Sequence, residues 1–241
     1  MNQLELTVIE VAGTRPLTFK VQRMVNAGYV GRDQNTVRRH IEELAREGVA
    51  PPESVPVLFP MVRSVLTCAE RIEVVEKATS GEVEFVLLLD GSHTYVGIGS
   101  DHTDRRLETA DMLKSKQACS NVMGRDVWNY ADVRDHWDQL EMQSWVRSAA
   151  GDAWTHYQAG DLGTLLSADQ LIQLVGERVT DPCRDGLIVF SGTLPLLNGG
   201  CIFGREFRCE LIDPVLGRSI RCSYAIERLD YLKPATMSAA S

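Results

Sequence analysis

The stretch Gly81-Glu82-Val83-Glu84-Phe85-Val86-Leu87-Leu88-Leu89 constrains the fold more than any other part of the chain. Its apolar run is far shorter than the roughly 20 residues of a membrane-spanning helix. Glycines at 81, 91, 97 and 99 punctuate the apolar segments around it, so the run reads as a strand. On a strand, residues i and i+2 share a face. Glu82 and Glu84 are thus brought together while Val83 and Phe85 turn to the other side. Two unpaired like charges on one face raise each other's pKa. Either that face is solvated, or a hard divalent cation, which prefers oxygen ligands, relieves the repulsion.

Strand-like spacing dominates elsewhere. Leu4, Leu6, Val8 and Val11, then Leu17, Phe19 and Val21, predict a β-hairpin over 3–23 with its turn at Gly13-Thr14-Arg15-Pro16. Val55, Val57 and Phe59, then Ile72–Val74 and Tyr95–Ile98, continue the strand pattern across 54–100. Residues 35–47 read instead as an amphipathic helix through Val37, Ile41, Leu44 and Ala45. Asn35 or Thr36 caps its start, Gly48 ends it, and Pro51-Pro52 prevents continuation. A polar stretch covers 101–117, a helical turn or two 131–139, and a strand 140–145. A second helix spans 167–178, followed by strands at 187–190, 203–211 and 218–225. The small, polar tail 234–241 is expected to fray. Neither a repeat nor a linker divides the chain. The reading is one α+β, β-rich domain, with the N-terminal hairpin and helix in about 1–50 and the core in about 54–228.

The 241 residues suffice for one sizeable core. A net charge of -8, with Arg38-Arg39 and Arg105-Arg106 the only adjacent basic pairs, argues against a nucleic-acid partner. No apolar run is long enough for a membrane span. The opening MNQLELTVIEVAG has no basic region preceding an apolar one, so no signal peptide is read and a cytoplasmic protein is expected. Six cysteines form no C-x-x-C pair and read as reduced, mostly buried thiols rather than a zinc site. The four tryptophans read as core.

A second polar cluster, Ser100-Asp101-His102-Thr103-Asp104-Arg105, follows the strand ending Gly97-Ile98-Gly99. It is either a polar turn or the place of a third carboxylate beside the first two. The order of pieces along the chain resembles the fumarylacetoacetate hydrolase superfamily. Those pieces are E-x-E (Glu82, Glu84), D-x-T-x-R (Asp101, Thr103, Arg105), Lys114-Ser115-Lys116-Gln117, and Ser191-Gly192-Thr193-Leu194-Pro195. Asn26 through Pro52 resembles that family's glycine-rich turn and lid helix, and Tyr157-Gln158-Ala159-Gly160 its strand with a glutamine. Arg208, Glu210, Ile212 and Gly217 resemble its closing hairpin. The match runs in order over roughly 20–225. Three departures mark a divergent branch. Only sixteen residues separate Glu84 from Asp101, Gly-Thr-Leu-Pro replaces Gly-Thr-Pro, and Ser100 stands where asparagine is frequent.

The resemblance implies a mixed β-roll or sandwich with a few peripheral helices. It implies one Mg²⁺ or Mn²⁺ ion held by Glu82, Glu84 and Asp101. Lys116, or its rival Lys114, would add positive charge at a developing oxyanion. Arg105, Gly192 and Thr193 would meet the substrate, although Thr193 also fits a plain tight turn. On the lid helix, His40 and Glu43 would activate water. The same residues also suit a surface histidine with Arg39 and Glu43 paired at i, i+4. His102 is either a support for Asp101 or a bystander, and His93, His136 and His156 read as structural or surface residues. The implied activity is metal-dependent hydrolysis of a C–C bond in a 2-oxo or 1,3-dicarbonyl, acylpyruvate-like acid, by a homodimer. The alternatives are decarboxylation or tautomerisation of a 2-oxo acid, and non-catalytic binding of a small acid.

Overall fold

Strand periodicity becomes two large sheets and one small one among the described residues. The computed structural model describes residues 3–46, 48, 50–52, 54–181 and 183–232, without the side chains of His40, Glu43 and Leu44. One sheet runs in spatial order β2 (Gly13–Lys20), β1 (Gln3–Glu10), β12 (Asp126–Asn129), β9 (His93–Asp101), β8 (Val83–Asp90), β15 (Leu187–Phe190), β3 (Arg23–Gly28) and β4 (Val57–Met61). Beside β9 lies β11 (Asn121–Met123), which also pairs with β5 (Leu66–Thr67). The second sheet is β14 (Thr155–Asp161), β13 (Glu141–Arg147), β16 (Glu206–Asp213), β17 (Arg218–Arg228) and β6 (Arg71–Val74). A short pair joins β7 (Thr79–Ser80) to β10 (Thr103–Asp104).

Alternation along β8 explains how the layers meet. Val83, Phe85, Leu87 and Leu89 enter a core shared with Phe207, Leu211, Ile220 and Tyr224 of the second sheet. Val86 and Leu88, on the opposite face, pack with Phe19 of β2, Met24 of β3, Phe59 of β4 and Met123 of β11. Phe19 and Phe59 come from the two edge strands, yet they share one cluster. The large sheet is therefore rolled around its own core while its outer face packs on the second sheet. Covered on both faces, β8 is an almost unbroken apolar run. Burying each such side chain stabilises the fold by roughly 1.5–3 kcal/mol.

Helices are few and peripheral: α1 (Gln34–Arg46), α2 (Arg105–Glu108), α3 (Met112–Gln117), α4 (Tyr130–Val133) and α5 (Ala168–Arg178). None of the described helices is long and apolar enough to cross a membrane. The expected helix at 35–47 forms, but its cap is Asp33, which accepts from Asn35 N at 3.0 Å and Thr36 Oγ at 2.6 Å. Ser167 starts α5 through a capping box with Gln170. The expected 131–139 segment is α4 followed by a 3₁₀ turn over 134–139.

Three further expectations need correction. The first hairpin turns at 11–12, not at Gly13–Pro16, because a two-residue loop closes the pair Glu10–Gly13. Pro16 then falls within β2, where an edge strand tolerates its missing N–H. Cys119, Cys209 and Cys222 are buried, but Cys183 and Cys201 are exposed. Trp128 and Trp137 belong to the core, whereas Trp145 and Trp154 are half-buried and sandwich the Arg208 guanidinium, 4.6 Å from each ring. The tail 234–241 lies outside the described residues.

Candidate metal centre

Local backbone geometry brings the three carboxylates together. Glu84 is on β8, paired across the sheet with Gly99, and Asp101 ends β9. Asp101 N donates to Glu82 O at 3.1 Å, which places the two acidic residues side by side. Glu82 N donates to Ser100 Oγ at 3.1 Å, and that oxygen also accepts from Tyr224 OH at 2.9 Å. One oxygen each from Glu82, Glu84 and Asp101 lies within 4.8 Å of the others. Glu84 and Asp101 are 1% and 0% exposed.

Gly81 allows this approach. A Cβ there would lie 2.7 Å from each of Phe207 Cδ2, Ser100 Oγ and Tyr224 OH. Gly81→Ala is therefore expected to lower stability by about 1–3 kcal/mol, the usual range for overpacking. Urea unfolding checks this, and a loss below about 0.5 kcal/mol would show that the junction yields freely.

Two cations face the carboxylates. Lys116 Nζ lies 2.5 Å from Asp101 Oδ2 and 3.6 Å from Glu82 Oε2, over the Phe59 ring at 5.9 Å. The short helix α3 turns one lysine toward the carboxylates and the other away. Lys114 points outward and pairs with Asp111 at 2.7 Å, while Lys116 is buried. Arg105 Nη2 lies 3.1 Å from Glu82 Oε1, Nη1 lies 3.0 Å from Glu108 Oε2, and Nε donates to Ser80 Oγ at 2.7 Å. Arg105 thus braces Glu82 from behind.

The charges do not balance. Burial, then the neighbouring Asp101, holds the Glu84 carboxyl well above the usual carboxylate range despite Lys116. Burial likewise raises Asp101 against the pull of Lys116. For Lys116, burial acts downward, but Asp101, Glu82 and Glu84 outweigh it and hold the ammonium charged. Asp101 Oδ1 is buried and has no hydrogen-bond partner among the described residues. Three converging carboxylates, one with an unmatched oxygen, fit a hard divalent cation. Such an ion would favour the ionised forms that burial opposes.

The Gly-Thr turn is anchored on the same strand. Gly192, at φ 88°, donates its N–H to Glu84 Oε2 at 2.9 Å. A Cβ at Gly192 would lie 2.7 Å from Val30 Cγ2 and 2.9 Å from Ala27 O. Thr193 Oγ donates to Val83 O at 2.8 Å and accepts from Gln158 Nε2 at 2.7 Å, while Gln158 Oε1 accepts from Val83 N at 3.0 Å. His102 Nδ1 meets Tyr224 OH at 3.0 Å. Burial, then Arg105, lowers its pKa to about 3, so it stays neutral beside Asp101.

His40 and Glu43 lie in α1, but their side chains are outside the described residues. Two surface clefts, of about 530 Å³ beside Arg32 and His136 and about 800 Å³ beside Gln22 and Arg63, do not touch the triad. The sequence reading missed Ser80 and Glu108, which hold Arg105, and the buried Asn26 and Asn121. A single polar residue inside an apolar strand was the only signal for the two asparagines.

Comparison with known structures places the chain in a recognised fold. 2-Keto-3-deoxyarabinonate dehydratase matches with TM-score 0.62 and 18% identity, over 91% of this chain and 79% of its own. Fumarylacetoacetate hydrolase from psychrophilic Exiguobacterium antarcticum matches with TM-score 0.58 and 12% identity, over 89% and 81%. 4-Oxalocrotonate decarboxylase from Pseudomonas putida G7, complexed with magnesium and adipate, matches with TM-score 0.51 and 12% identity, over 84% and 76%. No curated protein matches the sequence. Residues 27–224 match the family described as "Protein of unknown function (DUF2848)". The chain therefore belongs to the DUF2848 family, and it has the fold of the fumarylacetoacetate hydrolase superfamily.

Proposed function

We propose that the protein is a divalent-metal-dependent enzyme that hydrolyses a C–C bond in a 2-oxo or 1,3-dicarbonyl acid, working in the cytoplasm as a homodimer. The observation that carries the metal reading is the triad Glu82, Glu84 and Asp101, two of them buried and one part-buried, with its unmatched oxygen, beside Lys116. Structural neighbours named as an oxo-acid dehydratase, a hydrolase and a magnesium-bound decarboxylase support it. Bound at the triad, Mg²⁺ or Mn²⁺ supplies Lewis-acid polarisation of a substrate carbonyl. The chain's own residues do the rest. Lys116 holds fixed positive charge where an oxyanion develops. Arg105, through the N–H groups that Ser80, Glu82 and Glu108 leave over, and the Gly192–Thr193 turn, whose own donors meet Glu84 and Val83, would border the substrate's acid end. His40, oriented by Glu43, takes a proton from water on the lid helix.

Hydrolysis rests on that dyad, so His40→Ala tests it. Wild-type protein with Mn²⁺ is screened against acylpyruvates and 2-oxo acids. The variant is expected to lose about 10²-fold or more in C–C hydrolysis while binding Mn²⁺ as the wild type does. Hydrolysis at full rate in His40→Ala would remove the dyad from the mechanism. Turnover only by decarboxylation or tautomerisation would replace hydrolysis as the reaction, since neither needs an activated water.

A further inference from the structure

Two asparagines stand beside the triad with no partner for either amide atom. Asn26 and Asn121 are both 0% exposed, and the oxygen and nitrogen of each carboxamide make no hydrogen bond. Buried polar groups are nearly always paired, and each exception calls for an explanation such as an absent water or ion.

Register and alternation place both amides on the inner face of the rolled sheet, with the metal ligands. Asn121 lies directly across from Asp101 in the β11–β9 pair. Met123, two residues on, is in the roll's inner core, whereas Val122 faces the other core. On β3, Met24 is likewise in the inner core and Asn26 follows it by two. Asn26 pairs across the sheet with Phe59, whose ring lies under Lys116 Nζ. Lys116 in turn meets Asp101. Glu84 precedes Val86 and Leu88 on the same face of β8. The roll thus gathers Asn26, Glu84, Asp101 and Asn121 at one end of its interior, though their strands lie far apart in sequence.

We propose that Asn26 and Asn121 are positioning residues of the metal centre. Each carboxamide would hold a carboxylate of the triad in place and offer its other group to water that a bound ion retains. The inference rests on the metal reading above. An amide suits this place because it donates and accepts at once. Its N–H can meet the free Asp101 Oδ1, and its oxygen can accept from a water that the ion retains. Magnesium dehydrates reluctantly and keeps several waters. Hydrogen bonds from outside the ligand set fix ligand orientation, and their removal weakens metal binding by about 10–100-fold. A neutral group does this without a fourth buried negative charge or a cation that competes with the metal.

Asn26→Leu and Asn121→Leu, which keep the branched shape and heavy-atom count of the amide, test the proposal. Mn²⁺ binding by calorimetry is read beside thermal unfolding of the metal-stripped protein. Both variants are expected to bind Mn²⁺ about 10–100-fold more weakly and, when metal-free, to unfold at the wild-type temperature or above. That split separates a metal-positioning role from a structural one, which would lower the unfolding temperature instead. If the wild type binds Mn²⁺ and the Leu variants bind it equally well, the inference fails and the metal reading stands. A fall in unfolding temperature of more than about 4 °C would also overturn it, by showing that the amides are used in the fold. Where a Leu variant does not fold, Asn121→Asp keeps the shape and is expected to enlarge the Mn²⁺-induced rise in unfolding temperature. An unchanged rise overturns the proposal. A wild type that binds no Mn²⁺ removes the metal reading and this inference with it.

Discussion

Lys116→Met is expected to destabilise the metal-free protein by about 3–5 kcal/mol, the range for removing one partner of a buried ion pair. The Lys116 ammonium sits 2.5 Å from Asp101 and 3.6 Å from Glu82, and its side chain is 9% exposed. Methionine preserves the apolar stem against Phe59 but removes the charge. Three carboxylates would then face Arg105 alone, and Arg105 already meets Glu82 and Glu108. The pH dependence has a definite sign. Burial, then Asp101, raises Glu84, and burial raises Asp101, so the folded metal-free protein binds more protons than the unfolded chain. Their unfavourable contribution is absent below the ordinary carboxylate range and grows as pH rises through the raised folded values. Losing Lys116 widens that window, so the deficit should shrink on acidification and shrink again when Mn²⁺ is added. Urea unfolding at neutral and mildly acidic pH measures both. A loss under about 1 kcal/mol at neutral pH, typical of exposed pairs, would show that Lys116 does not neutralise the triad.

How much of this was legible in the sequence depended on the distance over which each rule acts. The period of two fixed Glu82 and Glu84 on one face without any tertiary knowledge. Asp101 was reachable because β8 and β9 form one local hairpin. Lys114 and Lys116 stayed unresolved because α3 has only six residues and its rotation is set by the Asp111 cap. The family resemblance implies that Arg105 is a substrate-binding cation. The fold shows its guanidinium meeting Ser80, Glu82 and Glu108, and Ser80 comes from a two-residue strand that periodicity cannot find. Asn26 and Asn121 were invisible for a different reason. Each is a buried polar residue of a short strand; Asn121 reaches Asp101 through the β11–β9 pairing, and only the roll of the large sheet brings Asn26 to the same end. Local turn signals also misled, since Gly13 and Pro16 mark the start of β2 and not the loop before it.

The second large effect is expected from Glu82→Ala combined with Glu84→Ala. Glu84 is held by the Gly192 N–H and Glu82 by Arg105, so both carboxylates are fixed in place before any ion binds. Removing them leaves Asp101 as the sole carboxylate of the triad, already paired with Lys116. One paired carboxylate cannot hold a divalent ion against its hydration, so binding should fall below detection. The raised pKa values add a check, because the ion must displace protons from Glu84 and Asp101. Wild-type affinity should therefore weaken as pH falls. The deciding measurement is a calorimetric titration of Mn²⁺ into metal-stripped wild type and the double variant at neutral pH. Saturable 1:1 binding to the wild type, abolished in the variant, is the predicted result. Binding that survives in the variant, or none to the wild type, would contradict a metal centre at Glu82, Glu84 and Asp101.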